Sequence, residues 1–142
     1  MRLATLLLLV LLGGCQHRLQ PSVDALSHQP WQLVTINGQP VSPDLQVTLT
    51  IAPSLQVHGY SGCNRLFGQG QWRQGRFTLP SLGMTRMACP PRQSWIESAV
   101  IGALREGVTL ELAATSLTLR SSRYTLHYLP ITVTAPVARR PV

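Results

Sequence analysis

The sequence predicts an α+β domain that is mostly β, with a strongly bent antiparallel sheet and one main helix packed against it. Short stretches in which apolar and polar residues alternate recur along the middle of the chain, as is typical of half-buried strands. Turn signals such as Asn37-Gly38 separate these stretches. One segment, residues 92–106, carries the spacing of an amphipathic helix instead.

The chain begins with a predicted lipoprotein signal peptide, residues 1–14. Arg2 is followed by an apolar run, residues 3–12, which is shorter than the ~20 residues that a spanning helix needs. The run ends in Leu12-Gly13-Gly14-Cys15, which resembles the lipobox of bacterial lipoproteins. Cleavage would leave Cys15 as an acylated N-terminus that anchors the protein to a membrane. The alternative is an ordinary signal peptide with a chance cysteine.

Two segments flank the predicted domain, which covers residues 30–129. Residues 15–29 are polar and without periodicity, and we expect them to be a tether between the lipid and the domain. Residues 130–142 hold three prolines and no core-facing pattern, and we expect a flexible tail. Gln16, and not Asp, follows Cys15, which favours the periplasmic face of the outer membrane.

The basic charge of the chain is carried by arginine alone. The formal net charge is +7, or +6 once Arg2 is removed with the signal peptide. The arginines are scattered, no run exceeds two, and no basic stripe interleaves with aromatic residues, so we expect no nucleic-acid partner. We interpret the charge as a solvated basic surface; a basic face held near anionic lipid is the alternative.

The alternating stretches are each predicted to be a strand. They are residues 31–36, 47–51, 55–59, 71–73, 76–79, 108–112, 117–120 and 124–128. The short connection at Gly75 predicts a hairpin, and the close spacing of the last three stretches predicts an antiparallel meander. The helix at residues 92–106 is predicted from Ile96, Val100, Ala103 and Leu104, which fall on one helical face. It would cover one side or one open end of the sheet.

Cys63 and Cys89 are the two cysteines that remain if Cys15 is acylated. An exported domain meets an oxidising compartment, which favours one disulfide between them. Closing a loop of that size would stabilise the fold by about 3–4 kcal/mol. Free buried thiols are an alternative, and so is a metal or redox site, although no Cys-x-x-Cys or His-x-x-x-His spacing is present.

The residues around both cysteines resemble a known family. The first block reads Gly59-x-Ser61-Gly62-Cys63-Asn64, and the second reads Thr85-x-Met87-Ala88-Cys89. In this order they resemble the META domain family, that of the bacterial heat-shock protein HslJ, and the resemblance extends over roughly residues 29–129. The motif residues that it marks as structural are Gly59, Ser61, Gly62, Asn64, Thr85 and Met87.

The resemblance implies an antiparallel half-barrel with a helix packed on it, and a paired Cys63 and Cys89. It also implies links to heat shock, to tolerance of the antibiotic novobiocin, and to secretion or motility. The family is similar in shape to a small lipoprotein that pilots an outer-membrane secretin. It supplies no catalytic residues and no cofactor that could be carried over to this chain.

The residues by themselves predict no enzyme. The run from Gly59 to Cys63 approaches a nucleophile elbow around Ser61, but Cys63 replaces the final glycine and no helix is predicted to follow. The four histidines are widely spaced, and the few acids, Glu97 among them, form no pair suited to acid–base work. We therefore expect no catalytic residues, no cofactor and no metal site.

These observations predict a non-enzymatic envelope lipoprotein that serves stress tolerance or the assembly of envelope components. We expect a monomer, anchored in the membrane, with an envelope protein as its partner. Two other functions remain open. Inward apolar residues on a bent sheet would suit a carrier of a small hydrophobic ligand or a lipid. A strand edge or barrel mouth that docks a peptide would suit a secretin-pilotin-like protein.

Overall fold

The computed structural model describes residues 22–27 and 29–132. The predicted signal peptide, the acylation site Cys15 and most of the predicted tail lie outside the described residues. Within the described ranges, two α-helices and eleven strands form. No helix in this part of the chain is both long enough and apolar enough to cross a membrane.

The strands lie in one large sheet and one small hairpin. They are β1 (Trp31–Ile36), β2 (Gln39–Pro40), β3 (Thr48–Ile51), β4 (Gln56–Tyr60), β5 (Arg65–Gln69), β6 (Gln71–Arg73), β7 (Arg76–Thr78), β8 (Gly83–Met84), β9 (Thr109–Ala113), β10 (Ser116–Arg120) and β11 (Thr125–Pro130). The helices are α1 (Val23–Ser27) and α2 (Pro91–Glu106). The large sheet is antiparallel and has the order β8-β5-β4-β3-β1-β11-β10-β9, with β2 paired to β1. The hairpin consists of β6 and β7.

The predicted fold class is confirmed: a strongly bent antiparallel sheet carries one main helix. The two predicted tight turns explain how neighbouring strands reverse. Asn37 and Gly38 both have positive φ, at 50° and 78°, and so do Gln74 and Gly75, at 51° and 75°. Two consecutive positive φ angles match the right-handed twist of the strands that such a turn joins.

Strand β8 is not visible in the sequence, and the structure explains why. It is two residues long and exists because Gly83 and Met84 pair with Phe67 and Leu66 of β5. Such a short stretch has no alternation to detect, so its extended shape depends on a partner that lies elsewhere in the chain. It forms one edge of the large sheet.

Helix α2 matches its prediction to within one residue. It begins at Pro91, where the missing N–H of proline costs nothing, and it ends before Gly107, which has a φ of 97°. Its buried face carries Ile96, Ala99, Val100, Ile101, Ala103 and Leu104. These side chains pack with the inward residues of the sheet into a single hydrophobic cluster, so the helix fills the concave side of the sheet.

The folded chain begins earlier than the predicted boundary at residue 30. Residues 23–27, which lie within the predicted tether, form α1, and Leu26 is buried in the core. Its carbonyl accepts a hydrogen bond from the indole N–H of the buried Trp31 at 3.1 Å. The few apolar residues of this segment follow no helical or strand period, so the sequence pattern gave no sign of this contact. At the other end, Pro130 completes β11 and Ile131 donates its N–H to the carbonyl of Pro30.

Candidate functional site

The motif residues of the first block form a buried turn between β4 and β5. Ser61, Gly62, Cys63 and Asn64 are all buried, and the Ser61 N–H donates to the Asn64 carbonyl at 2.8 Å. Gly62 has a φ of 91°, which favours glycine, and a Cβ there would lie 3.2 Å from a methyl of Val47. The turn is therefore held in one conformation by its own backbone and by the core beneath it.

Asn64 links this turn to the second block. Its side-chain oxygen accepts hydrogen bonds from the Met87 N–H at 2.7 Å and from the Thr85 hydroxyl at 3.1 Å. Its amide nitrogen donates to the Met87 carbonyl at 3.4 Å. One side-chain amide thus pairs with both backbone groups of Met87, as a neighbouring strand would. These bonds, together with the one that the Thr85 N–H donates to the Arg65 carbonyl, attach the segment between β8 and α2 to the sheet.

Ser61 and Glu97 join the same turn to the helix. The Ser61 hydroxyl donates to the Glu97 carboxylate at 2.5 Å and accepts from the Asn64 N–H at 3.0 Å. The Asn64 amide also donates to Glu97, at 3.3 Å. In the sequence, Glu97 is one of a few acids that form no pair suited to acid–base work. The sequence did place Glu97 next to Ile96, at the edge of the apolar face of the helix. A side chain at that edge lies at the margin of the core, where it is able to contact polar groups of another element.

Cys63 and Cys89 form a disulfide, with a Cα–Cα distance of 6.0 Å and a sequence separation of 26. The predicted pairing is thus present, and the alternative of two free thiols is not. Cys63 lies in the turn after β4, and Cys89 lies two residues before α2 begins. The bond therefore ties the entrance of the helix to the sheet, alongside the Asn64 and Glu97 contacts. In the described ranges, no group of three His, Cys, Asp or Glu side chains is placed to hold a metal ion.

We call this cluster the hub; it comprises Ser61, the Cys63–Cys89 disulfide, Asn64, Thr85, Met87 and Glu97. All six motif residues expected to be structural lie in it or next to it. Gly59 borders it on β4, where a Cβ would lie 2.3 Å from the Thr48 carbonyl oxygen. Ser61 is fully buried, and the chain around it runs strand–turn–strand, whereas a nucleophile elbow runs strand–turn–helix. The arrangement therefore supports a role in holding the fold together.

The two histidines and three tyrosines that the structure describes form no second cluster. His58 is exposed on β4, and His127 makes a 3.1 Å hydrogen bond with the Thr118 hydroxyl across the β10–β11 pair. The Tyr128 hydroxyl is buried in the core without a hydrogen-bond partner among the described residues. Burial raises the pKa of Tyr128 above its ordinary value, so the phenol stays neutral at physiological pH.

A groove crosses the solvent-facing side of the sheet, opposite the core. Two adjoining cavities of about 580 and 520 Å³ share Gln46, Thr48 and Tyr60 in their walls. We call their union the outer groove; its other lining residues are Gln32, Pro43, Asp44, Thr50, His58, Gly59, Arg65 and Ile131. The strand register places the side chains of β1, β3, β4 and β5 in one row: Gln32, Thr48, Tyr60 and Arg65. Gln32 and Thr48 are the polar half of a predicted alternation, whereas Tyr60 and Arg65 lie outside the predicted strands. The sequence therefore gave no sign that the four residues line a groove.

Comparison with known proteins gives a consistent result. Residues 24–132 match the META domain family. Heat shock protein HslJ of Escherichia coli (strain K12) is 31% identical over 123 residues, which cover 84% of this chain and 87% of that protein. A solved NMR structure is 31% identical, with a TM-score of 0.67 over 76% of this chain and 93% of the other. An NMR structure of a protein from Burkholderia xenovorans is 28% identical, with a TM-score of 0.62 over 78% of this chain and 87% of the other.

Proposed function

Because the chain belongs to the META domain family, we propose that it is a non-enzymatic envelope lipoprotein that serves tolerance of stress, heat and novobiocin among them, or assembly of envelope components. One observation carries the stress role: the similarity to a heat shock protein extends over 84% of this chain and 87% of that protein. Because nearly all of both chains aligns, the shared region is the domain as a whole.

The use of the motif residues supports a non-enzymatic role. Ser61, Asn64 and Glu97 bond to one another, and Asn64 also bonds to the backbone of Met87 in the second block. A catalytic hydroxyl must reach a substrate, whereas Ser61 is fully buried. The residues that define the family in this chain thus hold the helix and the sheet together, and a function for the domain has to come from its outer surface.

The envelope location rests on the sequence before the folded domain. The Leu12-Gly13-Gly14-Cys15 run suits acylation at Cys15, and Gln16 after it favours the outer membrane. Labelling of cells with a radioactive or alkyne-bearing palmitate checks the anchor directly. We expect label in the wild-type protein and none in a Cys15→Ala variant, whose precursor should accumulate uncleaved. A labelled Cys15→Ala protein would contradict acylation at this residue.

Two observations distinguish between the alternative functions, a lipid carrier and a partner-binding protein. The inward side chains of the sheet and the buried face of α2 form one packed cluster, so an acyl chain would have to displace the helix. This disfavours a carrier that holds lipid on its concave side. A partner-binding, pilotin-like protein is better supported, because two apolar side chains near the edge strand β8 are exposed. Phe67, which pairs with Gly83 of β8, is exposed by 54%, and Met87, three residues after β8, by 62%. Exposed apolar side chains next to an open strand suit a protein partner.

A deletion strain tests the stress role. We expect lower survival after heat shock and a lower inhibitory concentration of novobiocin, both restored by the wild-type gene. Complementation with Cys15→Ala separates the need for the anchor from the need for the domain. A deletion strain with unchanged survival and unchanged novobiocin resistance would contradict the stress role. Crosslinking in living cells, followed by mass spectrometry, would then identify an envelope partner under the assembly role.

A further inference from the structure

The outer groove is the feature whose chemistry the proposed function does not use. Most of its lining residues carry polar side chains, and Tyr60 and Ile131 add apolar surface in the first cavity. The Thr48 and Thr50 hydroxyls, the Tyr60 hydroxyl and the Arg65 guanidinium make no side-chain hydrogen bond with another described residue. Each is therefore able to bond to a ligand without first giving up a protein partner.

The two ends of the groove differ in charge. Asp44 lines only the first cavity, whereas His58 and Arg65 line only the second. Within the described ranges, the single ion pair joins Arg120 to Glu111, so Arg65 has no carboxylate within 4.0 Å. An unpaired guanidinium offers a fork of donors that matches a carboxylate. The second cavity is thus suited to a ligand that carries an acidic group at that point.

The groove crosses the strands, and this restricts the class of ligand. Gln32, Thr48 and Tyr60 are each paired to a neighbouring strand on both sides, so the sheet has no open edge along this row. A peptide gains much of its affinity by adding a strand to an open edge, which this face does not provide. A sugar, by contrast, binds through side-chain hydroxyls, amides and an aromatic face such as that of Tyr60. Strand faces of other small β proteins bind oligosaccharides in this way.

We propose that the outer groove binds a linear glycan that carries carboxylates, with sugar rings over Tyr60 and Thr48 and a carboxylate on Arg65. Four neighbouring strands span about 14 Å at the spacing of a β-sheet, which is enough for several sugar rings. The proposal goes beyond the stress role and does not depend on the lipid anchor. If the groove binds no glycan, the proposed stress role is unaffected. If the stress role is wrong, glycan binding is likewise unaffected.

The test is a pair of tetrasaccharides titrated into the isotope-labelled mature protein in detergent micelles. One probe alternates N-acetylglucosamine with N-acetylmuramic acid and so carries carboxylates; the other is the neutral tetramer of N-acetylglucosamine. We expect amide shifts at Thr48, Thr50, Tyr60 and Arg65 and none at Trp95, which is exposed on the helix. The carboxylate probe should bind about tenfold more tightly than the neutral one, as a charge-assisted hydrogen bond predicts.

Two arginine variants make the test specific. Arg65→Gln should weaken the carboxylate probe about tenfold and leave the neutral probe unchanged, which isolates the pair between guanidinium and carboxylate. Arg73→Gln is the matched control, because Arg73 is also exposed on a strand and lies outside the groove. Tyr60→Phe should bind within about threefold of wild type if the ring is the contact, whereas Tyr60→Ser should lose binding. An unchanged amide spectrum away from the groove shows that each variant is folded.

Three outcomes would overturn the proposal. The first is the absence of groove shifts with either tetrasaccharide at millimolar concentration. The second is equal affinity for both probes together with no effect of Arg65→Gln. The third is that an acidic peptide, or vesicles containing anionic phosphatidylglycerol, shift the groove amides when the glycans do not. That last result would assign the groove to a protein or to a membrane surface.

Discussion

Two regions of the domain hold chain segments against the same core by different means. The hub attaches the segment before α2 with one disulfide and the side chains of Ser61, Asn64 and Glu97. The closing meander, β9 to β11, uses regular strand pairing and the buried side chains of Leu117, Leu119 and Leu126. The hub therefore depends on particular residues, and the meander depends on a pattern that many residues can satisfy. The difference explains why the family motif lies in the hub.

The largest effect is expected from removal of the disulfide. Cys63→Ala with Cys89→Ala should lower the free energy of unfolding by about 3–4 kcal/mol, because a loop whose ends are 26 positions apart is no longer closed in the unfolded chain. Urea unfolding of the oxidised proteins measures it. Reduced wild-type protein is the control and should show a similar loss. Equal unfolding midpoints of the double variant and oxidised wild type would mean that the hub does not depend on its covalent bond.

Removal of a core side chain in the meander should lower the free energy of unfolding by a similar amount, but this loss should not depend on the disulfide. Leu119→Ala should cost about 3 kcal/mol, because Leu119 is fully buried and the change leaves a cavity. Leu119→Met, which conserves volume, should cost less than about 1.5 kcal/mol. Urea unfolding under oxidising and reducing conditions should give the same loss. A loss that depended on the state of the disulfide would show that the two regions are coupled.

Within the hub, Asn64→Ala should destabilise by about 2 kcal/mol, since Met87 and Thr85 lose their partners. Amide hydrogen exchange should show faster exchange at Met87, with protection in the meander reduced only as far as global stability falls. Asn64→Asp keeps the accepting oxygen but puts a second carboxylate against Glu97, so it should destabilise at least as much as Asn64→Ala. Unchanged exchange at Met87 in Asn64→Ala would contradict the strand-like role of the Asn64 side chain.

The smallest effect concerns the contact between α2 and the turn after β10. Hydrogen bonds from Ser122 hold the pKa of Glu106 below its ordinary value of 4.5, with Arg76 and Arg123 adding to the effect. A lowered carboxylate pKa contributes stability above the unfolded pKa, and that contribution is lost as pH falls through the folded pKa. The melting temperature of Glu106→Gln should therefore lie slightly below that of wild type at pH 7. This difference in melting temperature should close below about pH 4.

The control for that experiment is Ser122→Ala, which removes the hydroxyl and keeps the N–H that donates to Glu106 at 3.0 Å. Its melting temperature should lie between those of wild type and Glu106→Gln at pH 7. A gap between wild type and Glu106→Gln that persisted unchanged at pH 3 would show that the side chain matters for packing and not for charge. In either case the change should be far smaller than that of any hub variant above.

The elements that were predictable are those that local chemistry defines. Alternation over residues 117–120 sets which side chains face the core, and two consecutive residues with positive φ at Asn37 and Gly38 make a tight turn whatever surrounds them. The helix was predictable for the same reason, because the apolar spacing from Ile96 to Leu104 fits one face of a helix and no strand. The cysteine pairing followed from an inference about compartment and from the count of thiols.

The rest was decided by contacts between residues far apart in the chain. Strand β8 forms because β5 lies beside it, and Leu26 is buried because Trp31 and β3 are there to cover it. Glu97 joined the hub only when the fold brought the turn at Ser61 against the flank of the helix, 36 residues away. The outer groove is likewise a product of register, because it takes four strands in alignment to place Gln32, Thr48, Tyr60 and Arg65 in one row. Local sequence determines the shape and the inward face of each element, and the tertiary structure alone decides which polar side chains meet.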